Sequence, residues 1–194
     1  LNISIPKRIE LIDNSHIQGD SEVGAVVVYE NGETKKKDYR KYKITNDEKR
    51  DDLASMKEVL YRRYYRILTE NLPVSDLLIV DGGYNQVQIA KEVLTSLNFT
   101  KVNIAGLVKD NHHNTRGLVN SDGEEIILPK DHALLFFLTR MQDEVHRFAI
   151  SFHHNLRSKS LSSSFLDDIQ GIGPKRKETL LKVFGSKKNI IEAS

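Results

Sequence analysis

Hydrophobic residues near the start of the chain occur in short runs that are separated by turn signals. The β-branched run Val23 to Tyr29 is typical of a central strand. Asn31-Gly32, which follows this run, is a hairpin signal. Arg8 to Asp13 predicts a strand before it, and Lys37 to Ile44 predicts a strand after it. The short connections favour an antiparallel meander of three strands.

From Asp51 onward the apolar residues recur at three- and four-residue steps, which predicts a helix of about five turns. Its buried stripe consists of Leu53, Met56, Leu60, Tyr64 and Ile67. A second stripe begins after Pro129 and predicts the longest helix of the chain. Its members are Leu134, Leu138, Met141, Val145, Phe148 and Phe152. Each helix therefore has one face that must be covered.

Between these helices the pattern returns to strands and turns. The apolar run Leu77 to Val80 predicts a buried strand, and Asp81-Gly82-Gly83 predicts a sharp turn after it. Tyr84 to Leu97 predicts a helix, Val102 to Leu107 another strand, and Gly117 to Leu128 a hairpin. This order indicates an α/β protein with a mixed sheet flanked by helices. It also matches the order of elements in the ribonuclease-H-like architecture.

A serine-rich segment at residues 158–164 indicates a linker. We therefore expect one domain over residues 1–157 and a small all-α element over residues 165–194. That element is predicted to contain two short helices, Phe165 to Ile169 and Lys175 to Val183. The chain as a whole is thus expected to consist of a large α/β domain and a small helical appendage.

The two short helices are separated by the turn Gly171-Ile172-Gly173, and Lys175 and Arg176 follow it closely. Glycines leave backbone N–H groups free at a helix N-terminus, where these groups can bind a phosphate. The adjacent cations attract a nucleic-acid backbone regardless of sequence. The segment therefore predicts DNA binding, and the alternative is an ordinary glycine turn between helices.

Composition and charge limit the class of protein. Hydrophobic residues make up 39% and charged residues 29% of the 194 residues, as in globular proteins. The absence of cysteine excludes disulfides and cysteine-based zinc sites, and it fits the cytosol. The apolar runs are too short to span a bilayer. Leu1 to Arg8 lack the layout of a signal peptide. They also lack an initiator Met, as expected for an excised fragment. Net charge is only +2, but clusters of basic residues favour an extended anionic partner.

Two aspartates lie at the ends of predicted strands. Asp13 ends the first strand, and Asp81 follows the strand Leu77 to Val80. If these strands are neighbours, the two carboxylates meet at one edge of the sheet, where they repel each other unless a cation lies between them. Carboxylate oxygens are ligands that suit Mg²⁺ or Mn²⁺. The alternatives are a turn-forming aspartate for Asp13 and a helix N-cap for Asp81.

Other polar residues could complete such a site. His146 follows the core-facing Val145 and lies at the edge of the buried stripe, where it fits a third ligand, a proton-transfer group, or a packing residue. Asp52 fits a helix-start carboxylate or a support of the metal site. His112 and His113 lie in a polar segment and are expected to be exposed.

Four segments, in this order, resemble the C-terminal half of the UvrC family, whose members are components of the bacterial UvrABC excision nuclease. They are Ile12 to Gly19, Val80 to Gln86, Asp143 to Ala149 and Ile169 to Arg176. The segment Gly106 to Asp110 is similar as well. The likeness covers nearly the whole chain, and the order of the motifs makes it specific.

The resemblance implies a ribonuclease-H-like endonuclease domain followed by a helix-hairpin-helix DNA-binding element. It implies the 5′ incision beside a lesion in nucleotide excision repair, with Mg²⁺ or Mn²⁺ bound by Asp13, Asp81 and His146. Asp52 falls at a more loosely matched acidic position of the family. The implied partners are damaged double-stranded DNA and UvrB, and neither a membrane nor a small-molecule substrate is expected. The family usually has a tandem pair of helix-hairpin-helix elements and a segment that contacts UvrB; here we expect a truncated element and no such segment.

Two other functions remain open from the residues alone. A non-catalytic DNA-binding or scaffold module would use the acidic residues only as caps and turn formers. A ribonuclease-H-like nuclease that acts on RNA hybrids or DNA junctions would share the fold and differ in substrate, because a fold does not determine the substrate.

Overall fold

The computed structural model describes residues 3–15, 22–44, 51–112, 114–167, 169, 172–184, 189–190 and 193. The chain divides into two compact units, Leu1–Ala149 and Ile150–Ser194, which we treat separately. Within the described ranges, no helix combines the length and the apolar character needed to cross a membrane.

The described part of unit 1 contains one mixed sheet. Its strands are β1 (Arg8–Ser15), β2 (Val23–Glu30), β3 (Glu33–Thr34), β4 (Arg40–Lys43), β5 (Leu77–Val80), β6 (Asn103–Lys109), β7 (Thr115–Asn120) and β8 (Glu125–Ile127). The strand order is β3-β2-β1-β5-β6-β7-β8, and β4 also pairs with β2. β1, β5 and β6 run parallel, and the remaining pairs are antiparallel. The carboxyl ends of the three central strands therefore lie at the same edge of the sheet.

Helices cover both faces of this sheet. The helices are α1 (Asp52–Thr69), α2 (Tyr84–Ser96), α3 (Ala133–Asp167) and α4 (Pro174–Phe184). Buried residues of α1 and α2 pack with one set of strand side chains, and buried residues of α3 up to Ala149 pack with the opposite set. Because successive strand residues point to opposite faces, these two cores lie on either side of the sheet. The predicted fold class, a ribonuclease-H-like mixed sheet flanked by helices, is confirmed, and the helix-hairpin-helix element stays a prediction.

The connection from β2 to β4 differs from the predicted single return strand. Asn31 and Gly32 take positive φ angles of 53° and 83°, as expected for the hairpin signal. A one-turn 3-10 helix, Lys36–Asp38, then interrupts the strand. Asp38 of this turn is held by Arg8 of β1 at 2.9 Å. The prediction of a continuous strand from Lys37 is therefore wrong, because a contact from outside the segment shapes it.

The predicted linker at residues 158–164 is helical, as part of α3. Neither glycine nor proline occurs between Pro129 and Gly171, and serine lowers helix stability only modestly, so nothing in this stretch ends the helix. The helix α3 thus runs through the predicted linker and includes Phe165, where the sequence predicts the start of a separate short helix. The role of residues 158–164 as a linker between two domains stays a prediction. The two compact units divide after Ala149, whereas the sequence predicts the boundary at residues 158–164.

The buried stripe of α3 is offset by one position at its start. Leu134 is 39% exposed, whereas Leu135 is buried. The stripe that faces the sheet continues through Leu138, Met141 and Val145, as predicted. The orientation of the first turn follows from its packing on the sheet, which the spacing of apolar residues alone does not determine.

Candidate metal centre

The parallel pairing of β1 and β5 places Asp13 and Asp81 side by side. Ile12 and Val80 are register partners, and the backbone N–H of Asp81 donates to the carbonyl oxygen of Ile12 at 2.9 Å. The side chains of Asp13 and Asp81 are 9% and 2% exposed. Strand alternation puts both on the face that α3 covers, since Leu11 belongs to the core beneath that helix. The two carboxylates therefore meet under α3.

His146 on α3 completes a three-residue cluster. Its Nε2 atom lies 3.0 Å from Oδ2 of Asp81 and 3.5 Å from Oδ2 of Asp13. One ligand atom from each residue lies within 4.8 Å of the other two. Val145 beside it is fully buried, whereas the His146 side chain is 42% exposed. The cluster therefore lies at the boundary between the core and solvent, where a substrate can reach it.

Two residues that the sequence did not single out also contact Asp81. The ammonium group of Lys109, at the end of β6, lies 2.8 Å from Oδ1 of Asp81. The side-chain amide of Gln142 donates to the same oxygen at 3.1 Å. Gln142 precedes His146 by four residues, or about one helical turn, so both lie on one side of the helix. This spacing is a sequence signal that could have identified Gln142. Lys109 lies in the segment Gly106 to Asp110, whose similarity to the family is a sequence signal, but only the strand order shows that it reaches Asp81.

The charges in the cluster stabilise one another. Burial alone would raise the pKa of Asp81, but the hydrogen bonds from His146 and Lys109 outweigh it, and the pKa lies below its ordinary value. The hydrogen bond to Asp81 raises the pKa of His146, against a smaller lowering by burial, and Asp13 adds to the increase. The Asp81 side chain is therefore kept ionised, as a metal ligand must be.

The turn after Asp81 depends on close backbone packing. A Cβ atom at Gly106 of β6 would lie 2.3 Å from the carbonyl oxygen of Gly82, so only glycine fits there.

The N-cap residue of α2 is Gly83, and no side chain makes a capping hydrogen bond there. The alternative role of Asp81 as a helix cap therefore does not hold.

Other predicted residues lie outside the three-residue cluster. Asp52 is an exposed residue in the first turn of α1, and Asp51 is the N-cap of that helix. The side-chain amide of Asn14 lies 3.5 Å from the carbonyl oxygen of Asp52, which puts the start of α1 near the end of β1. His112 is exposed, as expected, and His113 lies outside the described residues.

The structure describes only part of the predicted phosphate-binding turn in unit 2. Ile172 is half-buried, and Gly173, Lys175 and Arg176 are exposed, whereas Gly171 lies outside the described residues. α4 begins with a proline, a residue favoured at the first helical position because its missing N–H would be unpaired there in any case. The exposed cations at the start of α4 are suited to contact an anion, and their role stays a prediction.

The donor set of the cluster fits a hard divalent cation. Two carboxylates supply oxygen ligands and two negative charges, and an imidazole adds a nitrogen ligand, a combination that Mn²⁺ accepts and Mg²⁺ tolerates. Gln142 and Lys109 hold one of the carboxylates from outside, as outer partners of metal ligands commonly do. The arrangement can therefore bind such an ion and present it to a substrate.

Comparison with known proteins gives a family match and individual relatives. Residues 1–150 match the family described as the UvrC RNase H endonuclease domain. The chain is 50% identical over 195 residues to the UvrABC system protein C of Streptococcus uberis and 51% identical over 194 residues to that of Streptococcus agalactiae. In each case the whole chain is covered, and it spans 33% of the relative's length.

Among solved structures, endonuclease V of Ciona intestinalis in complex with a 23mer DNA shares 17% identity, with a TM-score of 0.40 over 54% of this chain and 46% of that one. Human endonuclease V shares 14% identity, with a TM-score of 0.36 over 62% of each chain. Similarities this low carry no argument about the substrate.

Proposed function

This chain belongs to the UvrC RNase H endonuclease domain family, and from this premise we propose that it is a divalent-metal-dependent DNA endonuclease that makes the 5′ incision beside a lesion in nucleotide excision repair. The observation that carries the proposal is the convergence of Asp13, Asp81 and His146 at a partly open edge of the sheet. The relatives named UvrABC system protein C support the repair pathway. In this proposal the reaction is the hydrolysis of one phosphodiester bond.

Asp13, Asp81 and His146 would hold Mg²⁺ or Mn²⁺. When bound, such an ion polarises a phosphate oxygen and lowers the pKa of a water ligand, which makes that water a nucleophile at neutral pH. The two aspartates carry the negative charge that attracts the ion. Asp13 lies in β1, and Asp81 directly follows the adjacent β5. Rigid positioning matters because misplaced ligands weaken both binding and catalysis.

The surrounding side chains have separate tasks in this proposal. Gln142 orients Asp81, and His146 either ligates the ion or transfers a proton, since its side chain reaches both carboxylates and solvent. Lys109 balances the charge of Asp81 and is 32% exposed, so it can also donate to a phosphate oxygen of the DNA. Asp52 would support the site through the contact of its backbone with Asn14.

Unit 2 would bind the DNA backbone as a helix-hairpin-helix element over residues 165–194, which follows a nuclease domain over residues 1–157. The backbone of Gly171 to Gly173 and the side chains of Lys175 and Arg176 would contact phosphates, which position a protein without reading sequence. A repair nuclease requires that indifference to sequence. UvrB is the proposed protein partner.

Replacing Asp81 by Asn tests the proposal, with Asp122→Asn as the matched control. Asp122 is an exposed aspartate in the turn between β7 and β8, away from the three-residue cluster. The assay measures nicking of lesion-bearing duplex DNA with UvrA and UvrB and with Mg²⁺ or Mn²⁺ present. We expect Asp81→Asn to lose 5′ nicking by several orders of magnitude and Asp122→Asn to retain it. Undiminished 5′ nicking by a folded Asp81→Asn variant would refute the assignment.

A further inference from the structure

Lys41 on β4 lies in the same cross-strand row as Asp13. Asp13 pairs with Ala25 of β2, and Ala25 pairs with Lys41. Neighbouring strands are about 4.8 Å apart, so the backbones of Asp13 and Lys41 are separated by about 10 Å. β4 runs parallel to β1, because both are antiparallel to β2, and it therefore ends at the same edge of the sheet. Lys41 therefore lies near the edge of the sheet at which the metal centre is located.

α3 determines where the Lys41 ammonium group lies. Its Nζ atom is 4.2 Å from the centroid of the Phe148 ring, and Phe148 follows His146 by two residues. The side chain is therefore on the face of the sheet that carries Asp13 and Asp81. Its position over an aromatic ring restricts a side chain that is otherwise flexible.

The surroundings of Lys41 favour an anion. Burial lowers its pKa from the ordinary value, and the positive charge of Arg147 lowers it further. Arg147 is bound to Glu144 by two hydrogen bonds of 2.7 and 2.8 Å, so one carboxylate partly offsets its charge. Two cations that are held near each other repel. A negatively charged group that approaches both lowers the electrostatic free energy of the pair.

A second lysine lies on the other side of the carboxylate pair. Lys109 contacts Asp81 from β6, whereas Lys41 lies in the row of Asp13, two strands away on β4. The metal centre is thus flanked by one lysine on each side, in the direction that crosses the strands. A polyanion that passes over the centre in this direction meets a cation before and after it.

We propose that Lys41 binds a backbone phosphate of the cleaved DNA strand, in a contact site separate from unit 2. This inference rests on the proposed nuclease function and adds a DNA-binding residue to unit 1. A DNA strand carries one phosphate per nucleotide, so a cation whose backbone is about 10 Å from that of Asp13 meets a phosphate close to the scissile one. The contact fixes the strand across the metal centre and does not read bases.

The test compares Lys41→Met, Lys41→Arg and Lys101→Met in the whole chain. Methionine keeps the apolar stem that covers Phe148 and removes the charge, and arginine restores the charge. Lys101 is an exposed lysine just before β6, at the opposite end of the parallel strands, which makes it the matched control. The probe is a fluorescein-labelled, lesion-free DNA duplex in EDTA, and its anisotropy reports affinity between about 50 and 200 mM salt.

We expect Lys41→Met to weaken binding roughly three- to tenfold and to reduce the slope of log K against log salt by about one, as for the loss of one phosphate contact. Lys41→Arg should restore both values, and Lys101→Met should change neither. A purely structural role would lower the thermal stability without changing the salt slope.

Equal affinity and slope for Lys41→Met and Lys101→Met would overturn the inference, and so would a failure of the unsubstituted chain to bind the duplex. The proposed nuclease function is tested separately by the nicking assay on Asp81→Asn. If Asp81→Asn loses nicking while Lys41→Met binds DNA normally, the nuclease assignment stands and the Lys41 contact does not.

Discussion

The hydroxyl of Thr115 donates a 2.6 Å hydrogen bond to Oε1 of Gln142. Because Oε1 accepts this bond, the amide nitrogen of Gln142 must point the other way, where it donates to Asp81 at 3.1 Å. Thr115 and Gln142 are both buried. A residue of β7 thereby sets the orientation of the carboxylate that follows β5, through a side chain of α3.

Gln142→Leu removes the donor to Asp81 while it keeps the side-chain volume similar. We expect the affinity for Mn²⁺ and the nicking rate to fall about 10- to 100-fold, which is typical when an outer partner of a metal ligand is lost. The matched control is Gln88→Leu on α2, which removes an amide that donates to the carbonyl oxygen of Ser121 at 2.9 Å. Isothermal titration with Mn²⁺ and the nicking assay measure both variants. Equal losses in the two variants would contradict a specific role for Gln142.

Mn²⁺ should stabilise the folded chain through the three-residue cluster. At a free concentration of about 100 times Kd, a ligand that binds only the folded state adds roughly 2.7 kcal/mol to the free energy of unfolding. We expect Mn²⁺ to raise the Tm of the unsubstituted chain and of Asp122→Asn, but not that of Asp13→Asn or Asp81→Asn. Differential scanning fluorimetry across a Mn²⁺ series measures this. An equal increase in all four proteins would place the ion elsewhere.

Gly106→Ala should damage the site from the neighbouring strand. The added Cβ atom would lie 2.3 Å from the carbonyl oxygen of Gly82 and 2.8 Å from Cγ2 of Val87. We expect a loss of about 1–3 kcal/mol in the free energy of unfolding, as for overpacking, together with weaker Mn²⁺ binding. Gly83→Ala is the control, because apart from its chain neighbours no atom of the described residues lies within 4 Å of its Cβ position. Urea denaturation that shows equal stability for the two variants would contradict the clash.

A buried ion pair joins β1 to α1 beneath the opposite face of the sheet. Arg63 donates to both oxygens of Glu10, at 2.6 and 3.0 Å, and the side chains are 2% and 0% exposed. Arg63→Met leaves a buried carboxylate without its main partner, so we expect a loss of about 3–5 kcal/mol in the free energy of unfolding. Urea denaturation at neutral pH measures this loss.

Two variants separate the buried charge from general disruption of α1. Arg66→Met removes an exposed partner of Glu70 and should cost less than about 1 kcal/mol. Glu10→Leu combined with Arg63→Met removes both buried charges and should recover part of the stability. A double variant that is less stable than Arg63→Met alone would contradict this expectation. It would show that the unpaired carboxylate of Glu10 is not what destabilises Arg63→Met.

The chain's periodic patterns are local, and so the sequence alone determined the elements built from them. The run Val23 to Tyr29, the stripe of α1 and the apolar run before Asp81 each encode a strand or a helix through the spacing of apolar residues. The motifs around Asp13, Asp81 and His146 indicated a shared site, because two strand ends and one helix edge can meet in an α/β sheet. The mixed sheet with helices on both faces followed from the order of these elements.

Tertiary structure alone decided which residues surround that site. Lys109 and Gln142 reach Asp81, and Lys41 shares a row with Asp13, because of strand order, register and the path of α3 across the sheet. The 3-10 turn at Lys36–Asp38 and the exposure of Leu134 likewise depend on packing between distant segments. Such contacts join residues far apart in the chain, and their free energies depend on the assembled core rather than on local spacing. Periodicity therefore predicts the elements, and long-range packing determines the chemistry between them.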